Sequence, residues 1–460
     1  MEVEFYFWLL AIPVLAVLIL VHEVGHFLAA RWMKVRVEEF GLGFPPRLLT
    51  LGVWGGVRYT LNAIPLGGFV KMAGEEDPKV PGSLAGKKPW QRAIVLSAGA
   101  LMNLLLALLL FTGVAVYGYE EPVSQRVGIF LVEPDSPAGR AGLRVGDVIT
   151  TINGRPVTSL YDVRLESTLN RGYTITLEIE RGGRLEKVDL VPRQNPPPGQ
   201  GAIGIGLDFY EAPVTVQRIT PDSPAERAGL RPGDILLSLD GQPLENSLQY
   251  RAYFTQECRR ATVAGLRAIA GLLVGDGRYV QDLLPRLVRL EVERDGKRLG
   301  PLVLENDLAY ADLPLGLDYW RWAWRRGGLA EGWRETVEAM LLVPRTLAAI
   351  FRQSVPASEL AGPVGITYIT AQVARQAGFI GVIQTMATIS VNLCLVNLFP
   401  LPALDGGRLA FVLLEWLRRG RRVPPEWEGA IHMAGFILLI GLALLLTYYD
   451  ILRVAGGGVP

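Results

Sequence analysis

Four apolar runs, at roughly 5–33, 93–118, 379–399 and 430–448, decide what this 460-residue chain can become. About 20 apolar residues cross a bilayer core of ~30 Å. Hydrocarbon offers the backbone no partner, so each run must close its own hydrogen bonds as a helix. Half of the chain is hydrophobic, yet the long middle is polar, which calls for a membrane part and a water-exposed part together. Met1 to Phe5 hold no lysine or arginine, so the run is read as a retained span rather than as a cleaved signal peptide. Arg31, Lys34, Arg36, Arg47, Arg58, Lys71, Lys87, Lys88 and Arg92 follow the first run, and Arg408, Arg418, Arg419, Arg421 and Arg422 separate the last two. By the positive-inside rule those loops are cytoplasmic. Both termini and the region 120–375 then lie outside.

Inside the first run stands His22-Glu23-Val24-Gly25-His26. Residues four apart share a helix face, so both imidazoles can reach one metal ion, with Glu23 beside them to handle a water. Ionisable groups at bilayer depth cost about 2.5–3.5 kcal/mol each near the centre, which marks such a cluster as functional. The chain holds only three histidines. The third, His432, opens an apolar helix and reads as a packing or interfacial residue. Cys258 and Cys394 fall in unlike surroundings, which argues against a disulfide framework or a thiolate metal site. A net charge of +1 gives no reason to expect nucleic acid.

Between the spans, Val57-Arg58-Tyr59-Thr60-Leu61 alternates like a strand, and the region 40–75 is read as a β-hairpin or small sheet dipping toward the membrane. Gly41-Leu42-Gly43-Phe44 spells a carboxylate-binding loop, but as one isolated tetrapeptide on the other side of the membrane from the repeats it is taken as a decoy. Two repeats are unmistakable. Pro134-Asp135-Ser136-Pro137-Ala138 leads through Gly142-Leu143 to Gly146-Asp147 and Asn153-Gly154. Pro221-Asp222-Ser223-Pro224-Ala225 leads through Gly229-Leu230 to Gly233-Asp234 and Asp240-Gly241. Both copies resemble bacterial PDZ domains, which take an extended peptide, often a chain end, on a strand edge. The second carries an insertion at about 252–286. Residues 320–326, rich in tryptophan and arginine, suit a membrane interface, and 329–353 reads as an amphipathic helix on the outer surface rather than a fifth span.

A catalytic zinc takes three protein ligands and leaves one position open. His22 lies about 25 Å along the first span, near its cytoplasmic end. By parity the third span runs parallel to the first and delivers Asp405 to the same end, within Asn397-Leu398-Phe399-Pro400-Leu401-Pro402-Ala403-Leu404-Asp405-Gly406-Gly407. Together with the paired repeats, these motifs resemble the site-2 proteases, specifically the bacterial intramembrane zinc metalloproteases of the RseP type. Ala63 to Met72, Gly99-x-x-x-Asn103 and Gly362-Pro363-Val364-Gly365-Ile366 match further elements of that family, although Ala100 stands where proline is common.

The resemblance implies a polytopic α-helical membrane protein with about four transmembrane helices, a membrane-associated β region and two α+β PDZ domains. Its parts would be a membrane half at 1–124, PDZ domains at 125–195 and 200–305, an interfacial linker at 306–375 and a second membrane half at 376–460. It implies Zn2+ on His22, His26 and Asp405, with Glu23 as the proton carrier. Asn397, Asn392, Gly67 and Gly68 would contact substrate. Membrane-anchored proteins in a bacterial cytoplasmic membrane would be cut within their transmembrane segments, and peptide chain ends would dock at the PDZ domains. A non-catalytic membrane adaptor or receptor that binds peptides through the repeats is the rival reading, and an intact Glu23 beside both ligand sets argues against it.

Overall fold

The computed structural model describes residues 11–455 except 76, 198, 257–286, 306–313 and 357–358. The expectations for residues 1–10, for Cys258 and for most of the insertion lie outside the described residues. The chain forms two compact units: Met1–Tyr119 with Arg325–Ala348 and Pro356–Pro460, and Glu120–Trp324 with Ala349–Val355. Among the described residues, four helices in the first unit are long and apolar enough to cross a membrane: Ile12–Trp32, Pro89–Tyr117, Ala377–Leu398 and Glu426–Arg453.

The first unit begins with helix α1 (Ala11–Trp32), followed by two long strands, β1 (Val37–Trp54) and β2 (Val57–Met72). The turn between the strands is Gly55-Gly56, with φ of 59° and 79°, the left-handed pair that a two-residue hairpin of matching twist demands. Each strand also doubles back, so four segments line up in the order 68–72, 37–44, 57–62 and 47–54: Glu39 faces both Lys71 and Arg58, and Thr60 faces Thr50 as well as Gly41. Gly41-Leu42-Gly43-Phe44 lies inside this sheet, a strand and not a binding loop. Leu48, Leu49, Leu51, Val53 and Trp54 at the hairpin tip are exposed, an apolar set suited to lipid. The opposite end of the sheet is buried. There Val37, Val70 and Met72 share a core with Ala30 of α1, with Met33 just after it, and with Val95 and Leu96 of helix α2 (Pro89–Tyr117).

The second unit holds the repeats. In the first module, strand β3 (Val127–Val132), β4 (Val148–Ile152), helix α3 (Leu160–Leu169), β5 (Ile175–Arg181), β6 (Arg184–Leu190) and β7 (Ile205–Phe209) build an antiparallel sheet in the order β6-β5-β4-β3-β7. The motif residues have structural tasks in both copies. Ser136 and Ser223 cap four-residue helices by accepting the amides of Gly139 and Glu226. Asp147 and Asp234 are buried carboxylates, each gripped by two guanidinium nitrogens at 2.7 Å, from Arg181 and Arg294 respectively. The second module repeats the sheet with β8 (Ile235–Leu239), β9 (Leu287–Arg294) and β10 (Lys297–Glu305).

The module limits differ from the expected 125–195 and 200–305. Strand β7 pairs with β3, so the first module extends to Phe209. Leu315, Leu317 and Tyr319, expected in the linker, belong to the core of the second. In the first module the strand that completes the sheet comes last in the chain, and in the second Leu317–Asp318 pairs with Arg218–Ile219 as a separate two-stranded sheet, each after the repeated motif has ended.

The chain then returns to the first unit. Helix α4 (Leu329–Phe351) fills the segment read as amphipathic, and its Ala339 and Met340 pack on Ala107, Phe111, Ala387 and Val391. Two spans thus cover part of its apolar face. Helix α5 (Pro363–Leu398) is interrupted at Gly378 and is followed by α6 (Asp405–Leu417) and α7 (Pro425–Ala455). Asp450 of α7 is fully buried and accepts the amide of Gly365 at 2.7 Å, which fixes the start of α5.

Candidate metal centre

His22 and His26 sit one turn apart on α1 and are 8% and 6% exposed, so the lipid-length helix turns its polar pair inward. Asp405 is the first residue of α6, reached after α5 ends at Leu398 and the chain turns through two prolines. Sequence spacing of 383 residues closes to atomic contact. His22 Nε2 is 3.0 Å from Asp405 Oδ2, His26 Nε2 is 3.2 Å from the same oxygen, and the two nitrogens are 3.1 Å apart.

That triangle fits a metal ion. Ligand atoms held ~2.0 Å from a tetrahedral centre stand roughly 3.3 Å from one another. The tautomers fit as well. His26 Nδ1 donates to the carbonyl of Val95 at 2.8 Å, which leaves Nε2 with its lone pair. His22 Nδ1 lies 3.5 Å from the amide group of Asn103, a fully buried residue whose Oδ1 has no other partner. With the amide turned so that Oδ1 accepts, both atoms are satisfied and His22 Nε2 is likewise a lone-pair donor. In these tautomers two lone pairs and a carboxylate oxygen converge on one point, an arrangement suited to a cation.

Gly99 makes the room. A Cβ there would lie 2.7 Å from His22 Nε2 and would press on His26 Nε2 as well. The Gly-x-x-x-Asn pattern of α2 therefore has two tasks one turn apart: Gly99 leaves space beside the ligand atoms, and Asn103 faces the far side of the His22 ring.

Glu23 sits beside the triangle, and its Oε2 accepts the amide of Val70 at 3.1 Å. Val70 belongs to the 68–72 segment at the edge of the sheet, so one sheet edge passes directly by the carboxylate. Gly67 packs against Ile19 of α1, and Gly68 lies over the carbonyl of Gly41. Close packing thus accounts for both glycines. Asn392 and Asn397 are half-buried on the last turns of α5.

The turn before Asp405 is braced by a residue that sequence reading had assigned to packing. His432 Nδ1 of α7 accepts the amide of Ala403, a non-glycine residue at φ 73°, at 2.8 Å. Arg408, one turn beyond Asp405, reaches Glu75 at 2.7 Å. Buried Arg92 and exposed Arg422 both bond the buried Glu415, and the Arg92 pair joins the start of α2 to α6. No sequence period marks these partners, and the rarity of histidine is the one signal that could have singled out His432.

Residues 10–442 match the family described as peptidase family M50. Two relatives described as "Putative zinc metalloprotease" come from Treponema pallidum and Neisseria meningitidis. They are 27% and 29% identical, each over 96% of this chain and 98% of its own length. A solved structure, the PDZ domain of the SdrC-like protein from Listeria monocytogenes, is 26% identical over 19% of this chain and 92% of its own, with a TM-score of 0.17.

Proposed function

The chain belongs to peptidase family M50, and from that membership we propose that it is an intramembrane zinc metalloendopeptidase that cuts transmembrane segments of membrane-anchored proteins in regulated intramembrane proteolysis. Its setting is a bacterial cytoplasmic membrane, with the repeat unit outside as a substrate filter that engages peptide chain ends. The observation that carries this reading is the convergence of His22 Nε2, His26 Nε2 and Asp405 Oδ2 within 3.2 Å, on a membrane-length helix and with Glu23 adjacent.

When bound to His22, His26 and Asp405, zinc supplies Lewis-acid polarisation of the scissile carbonyl and an acidified water. Glu23 takes the proton from the attacking water at its carboxylate and returns it to the leaving amine. A helical substrate hides its peptide bonds in its own hydrogen bonds and must unwind locally to be cut. The 68–72 edge offers the unwound segment a strand to pair with, and the amide of Val70 that now bonds Glu23 lies on that edge. Asn397 and Asn392 at the end of α5 would hold the substrate backbone or the developing oxyanion.

The test is Glu23→Gln in the full-length protein with a membrane-anchored reporter. Cleavage should vanish while the metal content stays at wild type. Retained cleavage would remove Glu23 from its role, and a wild-type protein that never cuts a membrane segment would overturn the assignment.

A further inference from the structure

Residues two apart along a strand turn their amides to the same side. In the edge segment 68–72, Val70 and Met72 are such a pair, and both amides donate to carboxylates. Val70 bonds Glu23 Oε2 at 3.1 Å, and Met72 bonds Glu75 Oε1 at 3.3 Å. A free strand edge is a template for any extended chain that reaches it, so a side chain seated on one of its amides decides where a ladder stops. Glu23 sits there as the proton carrier. Glu75 takes no part in the hydrolysis.

Glu75 is held from two sides. Its backbone lies in the turn after β2, where the Ala73 amide donates to the Arg36 carbonyl at 2.8 Å, and the amides of Leu84 and Ala85 donate to the carbonyls of Ala73 and Gly74 at 3.0 and 3.2 Å. Gly74 takes φ 50° in that turn, and a Cβ on it would stand 2.6 Å from both Ser83 Cβ and the Asp77 carbonyl oxygen. The side chain is drawn the other way, with Oε2 accepting from Arg408 Nη1 at 2.7 Å. Arg408 stands one turn beyond Asp405 on α6, and Gly406 and Gly407 between them rest on the backbone of residues 398–402. The free edge is therefore tied to the metal-bearing helices at two points, to α1 through Glu23 and to α6 through Glu75 and Arg408. With side chains 28% and 41% exposed, the Glu75–Arg408 pair adds little stability. What it fixes is the place of the Glu75 carboxylate.

Resting on the reading that an unwound substrate pairs with this edge, we propose that Glu75, oriented by Arg408, is the stop that sets the cleavage register. Arriving substrate takes the Val70 amide, which releases the Glu23 carboxylate for proton transfer. It goes no further along the edge, because the Met72 amide is already occupied. The scissile carbonyl then stands a set number of residues from a stop that is itself anchored one helical turn from a metal ligand. Glu75 and Arg408 are positioning residues. Without the stop, the ladder lengthens to Met72 and the substrate slides by two residues, the smallest step that keeps the same side chains facing the same way.

The experiment uses the full-length protein in detergent with a membrane-anchored reporter, and reads the new ends of both products by mass spectrometry alongside zinc content. Wild type should cut one principal bond. Glu75→Ala should move the larger share of cleavage to a bond two residues away, with zinc content unchanged and total kcat/KM within about fivefold of wild type, the range of a partly exposed ion pair. Arg408→Ala should show the same shift to a smaller extent. Arg408→Lys, which keeps a cation beside Glu75, should retain the wild-type bond. An unmoved bond in both alanine variants overturns the proposal. Loss of zinc or of all cleavage in both also overturns it, because the pair would then be a brace for α6. A wild-type protein that cuts nothing sinks the protease reading and this proposal with it, whereas cleavage at a bond that no variant moves sinks the proposal alone.

Discussion

Gly99 carries the sharpest test of the metal centre, because replacing it with alanine adds a single methyl group. The new Cβ would stand 2.7 Å from His22 Nε2 and 2.8 Å from its Cε1, with His26 Nε2 also in its way. Carbon atoms meet comfortably at about 3.5–4.0 Å, so His22 would have to withdraw by roughly 0.7 Å. Metal–ligand distances tolerate only about ±0.2 Å. Losing an outer partner of one ligand costs 10–100-fold in metal affinity, and Gly99→Ala displaces two ligands at once. We expect zinc affinity to fall by at least about 100-fold, the equivalent of roughly 2.7 kcal/mol. The assay is metal content by mass spectrometry after dialysis against a graded chelator, with helicity followed by circular dichroism. Gly113→Ala on the same helix is the control, since a Cβ there meets nothing within 4 Å. If Gly99→Ala held zinc within about threefold of wild type, the ligand triangle would not be the metal site.

Two further outcomes follow from particular contacts. His432→Ala removes the acceptor for the Ala403 amide two residues before Asp405; zinc affinity should drop by about tenfold in the same chelator assay, and an unchanged value would return His432 to a packing role. Asp234 is pushed up by burial, but the Arg294 guanidinium and the Arg231 amide outweigh this and hold its carboxyl below the usual range. Its folded pKa thus lies below the unfolded value of about 3.9, so its contribution to stability is fully present above that value and is lost as pH falls through the folded pKa. Protease resistance of the repeat unit in the full-length protein should therefore fall more steeply below about pH 4 in wild type than in Asp234→Asn; parallel pH profiles would refute the linkage.

The pairing of His22 with His26 was legible because helical periodicity is local, and their meeting with Asp405 because the parity of spans is a global constraint that needs no coordinates. Apolar length alone located the helices long enough to cross a membrane. The rest depended on pairings that leave no local trace. In the β region, period-two alternation identified strands but could not show that each doubles back to place the 68–72 edge beside Glu23. The repeated motif of the first module lies in the middle of its fold, and the strand that closes the sheet, β7, comes afterwards without a motif of its own. His432 meets Ala403 from distant chain, and it carries no motif.

The two Asp–Arg pairs show most clearly where sequence signal ends and structure begins. The carboxylates were visible as Gly146-Asp147 and Gly233-Asp234 in matched positions, but their partners stand 34 residues later in one module and 60 in the other. No fixed spacing links them. Yet each arginine lies in the equivalent sheet strand, β5 or β9, and binds its aspartate through Nε and Nη2 at 2.7 Å. Sequence added between the second aspartate and its arginine lengthens a connection, whose closure entropy grows only slowly with length. The paired strand and the buried charge are left untouched. The insertion is therefore compatible with the second fold.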